Sequence, residues 1–200
     1  MISYAARAVP WGLLGAGAGL IAGLLLLVER WPYTMWPLQG IAVGVLAGMA
    51  VWCYHEPAAA LIDTLPRGLR WRTTSRSAGS SALLVVWLIA LRQTRSGYFG
   101  HARDVAWQGI AAVIIAACYL TWCRTRGSTG PARATSAAII GVALFVALAR
   151  PFPKLVPVFP YTATGHWATS RLLWAAACLA AITLLLLGTR AAPLRRTARA

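Results

Sequence analysis

The chain has 200 residues, 59% hydrophobic and 12% charged, with a mean hydropathy of +0.65. That balance excludes an ordinary soluble domain, in which about a quarter of the residues are charged. The net charge of +15 comes from 19 basic and 4 acidic residues, and the basic ones cluster between apolar runs. This pattern argues for a polytopic membrane protein oriented by its positive loops and against nucleic acid as the partner.

A span needs about 20 apolar residues to cross roughly 30 Å of hydrocarbon. Six runs approach that length, at 11–28, 37–54, 77–91, 105–123, 134–149 and 172–188. The expected fold is therefore all-α, one six-helix transmembrane domain over residues 1–200. The first run reads as a span and not as a cleavable leader, because no cleavage site follows it. The third and fifth are short, pinned by Arg76 and Arg92 and by Arg133 and Arg150, and they must tilt little, thin the bilayer or snorkel their flanking arginines.

The first run carries Gly15, Gly19 and Gly23, and the second carries Gly40, Gly44 and Gly48. A spacing of four places each triplet on one helix face, where another backbone comes close. The expectation is close packing of these faces, on each other or on another subunit.

The longest polar interruption between spans is 56–76, EPAAALIDTLPRGLRWRTTSR. Pro57 suits a first helical turn. Ala58, Leu61, Ile62 and Leu65 then recur at helical spacing, so a short amphipathic surface helix is expected. Pro66 stops it near Leu65, and Gly68 permits a reversal. Arg67, Arg70, Arg72 and Arg76 follow. With both termini and this loop on one side, that side holds 12 basic residues against 7 on the other. The richer side belongs in the cytoplasm, which places both termini there and the whole chain in the plasma membrane.

The connection after the fifth span begins RPFPKLVPVFPY, with prolines at 151, 153, 157 and 160. Such a run cannot be a regular helix, because each proline removes a donor and constrains its neighbour. Its apolar residues suggest that 150–166 is a re-entrant-type segment dipping into the outer membrane edge. Phe152, Phe159 and Tyr161 would line or cap the outer end of a path. The tryptophans near span ends, among them Trp11, Trp31, Trp36, Trp52, Trp107, Trp122 and Trp167, suit an aromatic belt.

Signs of catalysis are few. The sequence contains no HExxH and no GxSxG, and no paired carboxylates lie inside a span. His55, His101 and His166 are isolated from one another, and Cys53, Cys118, Cys123 and Cys178 form no CxxC pair. No catalytic, cofactor-binding or metal-ligating residue is expected. No span has a central ionisable residue, which argues against a proton- or ion-driven transporter acting alone. Lys154 is the sole lysine and no phosphate-binding GK[ST] sequence exists, so an ATP-driven process would need a second chain.

The order of features around 56–76 resembles the membrane subunits of ABC exporters of the drug, polysaccharide and antibiotic efflux class. An acidic residue closes the second span, a short helix follows, and Leu65-Pro66-Arg67 leads into the third. The Arg- and Ala-rich composition resembles that of high-GC actinobacterial proteins. The resemblance implies six spans, cytoplasmic termini, a re-entrant hairpin between the fifth and sixth spans, and a coupling helix seated in a cleft of an ATPase. Carried over, Glu56, Leu61, Ile62, Leu65, Arg67 and Arg70 are the ATPase-coupling residues. The implied partners are an ATP-binding cassette subunit that holds ATP and Mg, a second permease of the same or a related chain, and membrane lipids. The alternative from another class is a noncatalytic membrane-anchoring subunit of a membrane enzyme or respiratory assembly.

Overall fold

Six helices carry the described chain, and each has an apolar window long enough to cross a membrane. The computed structural model describes residues 9–55, 69–128, 131–149, 156–163 and 165–197. The helices are α1 (Trp11–Arg30), α2 (Met35–Trp52), α3 (Leu69–Gln93), α4 (Ala102–Thr125), α5 (Ala132–Ala149) and α6 (Trp167–Thr197). No strand occurs among the described residues. The expected all-α, six-span architecture of a multi-pass membrane protein is what the chain adopts.

The third span departs from its expected bounds. It was expected to begin after Arg76, yet α3 starts at Leu69 and its apolar window is Thr73–Gln93. Arg76 thus lies inside the helix and is 5% exposed. Hydropathy alone ends a span at its first charge. Here the guanidinium is retained because Nη1 donates to two carbonyls beyond the end of α2, those of Cys53 (3.3 Å) and His55 (2.6 Å). The Cys53 carbonyl, at the C-cap, is one of those that a helix C-terminus leaves without intrahelical partners.

Helix α2 is central. It packs against α1, α3, α4 and α5, while α6 packs on α4. Of the second span's window 67% is buried, against 6% for the sixth. The reason lies in residue size. Gly40, Ala42, Gly44, Ala47 and Gly48 leave α2 slender enough for neighbours to approach from several sides. Helix α6 instead presents Leu172, Leu179, Leu184 and Leu187 outward, as a lipid-facing surface requires.

The two glycine triplets behave differently. A Cβ at Gly40 would sit 2.7 Å from Ala147 Cβ, one at Gly48 would sit 2.6 Å from Ile140 Cγ1, and one at Gly44 would overlap Ala143 Cβ. The second triplet therefore meets α5. The contact is closed at both ends by hydrogen bonds to backbone, from Trp36 Nε1 to Ala147 O (2.6 Å) and from Ser136 Oγ to Gly48 O (2.9 Å). Gly15, Gly19 and Gly23 have open space beside them, so the two triplets do not pack on each other. The buried row of α1 is Leu14, Gly17, Ile21, Leu25 and Val28, and its glycine contact is Gly17 against Met49.

Short connections set the remaining geometry. The carboxylate of Glu29 accepts from the Gly97 backbone N–H (2.9 Å) and from Ser96 Oγ, which ties the turn after α3 to the end of α1. Helix α4 ends in a Schellman motif, with Gly127 N–H on Arg124 O (3.1 Å) and Ser128 N–H on Cys123 O (3.2 Å). Gly127 adopts φ +88°, which a side chain would strain.

Replacing Gly44 by leucine is expected to lower stability by about 1–3 kcal/mol through overpacking. Gly19→Leu, with room beside it, should stay within about 0.5 kcal/mol of the parent. Unfolding midpoints of the two variants in one detergent check this, and equal losses would contradict the assignment of faces.

Candidate functional site

Consecutive spans alternate in direction, so the α1–α2, α3–α4 and α5–α6 connections share one side of the bundle. On that side three polar side chains from three helices converge about one to two turns inside. Gln39 of α2, Gln108 of α4 and Ser170 of α6 are each 1% exposed. Gln39 Nε2 donates to Gln108 Oε1, and Gln108 Nε2 donates to Ser170 Oγ (3.1 Å). The line ends on a backbone group, the carbonyl of Val158. That oxygen accepts from Ser170 Oγ (3.1 Å), Trp174 Nε1 (3.1 Å) and, at the long limit, Gln108 Nε2 (3.5 Å).

Val158 belongs to the α5–α6 connection, which has no regular structure over 156–163. Irregular backbone is tolerated at membrane depth only when its polar groups are satisfied by protein. Two features of the segment reduce the number of unpaired groups. Pro157 and Pro160 are buried and have no N–H to satisfy. Val158 N–H closes a tight turn on Val156 O (2.9 Å), and its carbonyl takes the side-chain donors just described. Phe159 then packs inward, its ring 5.9 Å from that of Trp174 and its edge over Gly40. Of the three residues expected at the outer end, Phe159 is half-buried against Trp174 and Gly40, Tyr161 is 41% exposed, and Phe152 lies outside the described residues.

Beside this segment, His101 stacks on Trp167 with centroids 4.4 Å apart and planes 5° from parallel. Its Nδ1 is 3.0 Å from Asp104 Oδ2, and its Nε2 is 3.3 Å from Ala163 O. Asp104 Oδ1 is paired with Arg171 Nε at 3.2 Å. His101 is thus not the isolated side chain that its sequence surroundings suggest.

At the opposite end, Arg76 holds the exit of α2, and the Arg133 guanidinium lies 6.0 Å over the Trp52 ring. His55 sits between them. Burial, then the charges of Arg133 and Arg76, push its pKa below the ordinary histidine value. Of the residues expected to couple to an ATPase, Glu56, Leu61, Ile62, Leu65 and Arg67 lie outside the described residues. Arg70 falls in the first turn of α3 and not in a loop.

Sequence reasoning missed the two glutamines. The available signal was an uncharged polar residue near the start of each of two apolar runs, where hydrocarbon makes an unpaired amide costly. Among the described residues, no three His, Cys, Asp or Glu side chains gather where a metal ion would sit. In comparisons with known proteins, no family model, no curated protein and no solved structure matches the chain.

Gln108→Leu is expected to cost about 1–3 kcal/mol, because it strands the Gln39 amide in a dry site. Replacing Gln39 and Gln108 together by leucine should cost less than the sum of the single losses, since both partners then become apolar. Unfolding free energies around that cycle decide the matter, and strict additivity would contradict the pairing.

The lowered pKa of His55 has a defined sign. The unfolded chain takes up this proton at a higher pH than the folded chain, so stability falls as pH drops below the ordinary histidine value of about 6.5. His55→Gln should flatten that part of the acid-side decline in a pH series of thermal midpoints. An unchanged slope would count against it.

Proposed function

We propose that this chain is the membrane-embedded permease subunit of an ATP-driven exporter in the plasma membrane, with both termini and the 56–76 connection in the cytoplasm. The observation that carries this reading is the α5–α6 connection, folded back over the bundle with the Val158 carbonyl held by Gln108, Ser170 and Trp174. A closure between the fifth and sixth spans is what the exporter family uses at the outer end of its path. Phe159, Tyr161 and Phe152 form the gate in this reading.

The path of movement follows from mechanics. A partner ATPase holds ATP and Mg and performs the hydrolysis. Glu56, Leu61, Ile62, Leu65, Arg67 and Arg70 engage that partner, the apolar side chains in its groove and the arginines on acidic residues or lipid phosphates. Motion there reaches α2 and α3 together, because Arg76 of α3 bonds the chain just beyond α2. From Trp52 at that end to Gly40 beneath Phe159, helix α2 rises about 18 Å at its ordinary rise per residue. Displacing one end of such a rod shifts the other, which is a rigid-body route to the gate. A second permease, the same or a related chain, completes the path.

Leu61→Asp and Leu65→Asp should insert normally, because insertion is set by the spans, yet lose a co-expressed ATP-binding cassette ATPase that the parent retains on co-purification. They should also lose substrate-stimulated hydrolysis. Full recovery of the ATPase with normal stimulation would refute the coupling role.

A further inference from the structure

The partners of His101 are both acceptors. Asp104 Oδ2 lies at Nδ1 and the Ala163 carbonyl oxygen at Nε2. A neutral imidazole has one donor nitrogen and one acceptor nitrogen, so it can satisfy only one of the two and turns a lone pair toward the other. The doubly protonated ring donates to both. The imidazole lies flat against Trp167 and turns one nitrogen to each of these two oxygens. That face also favours a cation over a neutral ring.

We propose that His101 is a proton-operated clasp: as an imidazolium it bridges Asp104 on α4 and Ala163 on the 156–163 segment, and on losing a proton it lets go of the segment. The charged surroundings are consistent with two cations about one carboxylate. On α4, Asp104 faces His101 and Arg103 is exposed on the same turn. From α6, Arg171 pairs with the other oxygen of Asp104. The turn before α4 contributes the Tyr98 carbonyl, which accepts the His101 backbone N–H at 2.8 Å. His166, ahead of Trp167, is exposed. The clasp therefore joins α4, α6 and the closure over Phe159 through one titratable ring. It stands on this geometry and does not depend on the exporter reading.

Hydrogen exchange of the Val158, Phe159, Tyr161, Thr162 and Ala163 amides tests it, with the full chain in lipid nanodiscs. Wild type is compared with His101→Phe, which keeps a flat ring on Trp167 and cannot be protonated. Taking the ratio of the two at each pH cancels the intrinsic pH dependence of exchange. The measurement is made at about pH 5 and about pH 8, across the interval in which histidines change charge. The wild-type segment should exchange severalfold more slowly than the variant at the lower pH, with the ratio falling toward one at the higher. A ratio that does not change with pH, or that equals one throughout, overturns the clasp. Should His101→Phe fail to insert, His101→Gln, which also carries no titrating proton, must give the same convergence.

Discussion

Hydrocarbon offers a backbone no water, so every polar group at span depth must find its partner inside the chain. Nor do apolar side chains gain much by leaving lipid for one another, which leaves close contact as the main source of helix association. Helix α2 supplies that contact. Its glycines bring the backbone of α5 near enough that Ala143, Ala147 and Ile140 fill the space a Cβ would need. Side-chain hydrogen bonds from Trp36 and Ser136 to facing backbone carbonyls close the seam above and below. The other helices are arranged about this rod. Buried Trp87 of α3 and Leu46 of α2 both lie against Gly109 of α4, and Gly17 in the buried row of α1 meets Met49.

The same scarcity of water explains the two polar joints. At one end the carbonyls beyond α2 draw in the buried guanidinium of Arg76. At the other the Val158 carbonyl draws in donors from α4 and α6. Each joint binds parts of the chain that sequence separates. The first couples α2 to α3, and the second couples the proline segment to the bundle. Between them runs α2, so the two ends are linked through a single rigid element.

Several features were readable from residue order because they follow from local physics. Prolines argue against a regular helix in this connection, its described part 156–163 has none, and Pro157 and Pro160 are buried there without an N–H to satisfy. The spacing of Gly40, Gly44 and Gly48 marked a close-approach face, and that face is used. Identical spacing in Gly15, Gly19 and Gly23 marked a face that has open space beside it among the described residues, while Gly17, outside any triplet, is a contact. Spacing specifies which residues share a face and is silent on what the face meets. Hydropathy ends the third span at Arg76, whereas the carbonyls of Cys53 and His55 that hold this guanidinium lie just beyond the end of α2, far away in sequence.

The sequence by itself determined the number and kind of spans. A bilayer has a fixed thickness, and only apolar runs of about 20 residues satisfy it as helices. It also determined where regular structure must stop, through prolines and glycines whose backbone limits are local. Only the tertiary structure decided that α2 is central, that Gln39 meets Gln108 across 69 positions, and that His101 lies between Asp104 and Ala163. A helix offers its whole circumference to its neighbours, and which part is used depends on how six such cylinders fit together. That choice is made by contacts between residues far apart in the chain, and no local pattern encodes them.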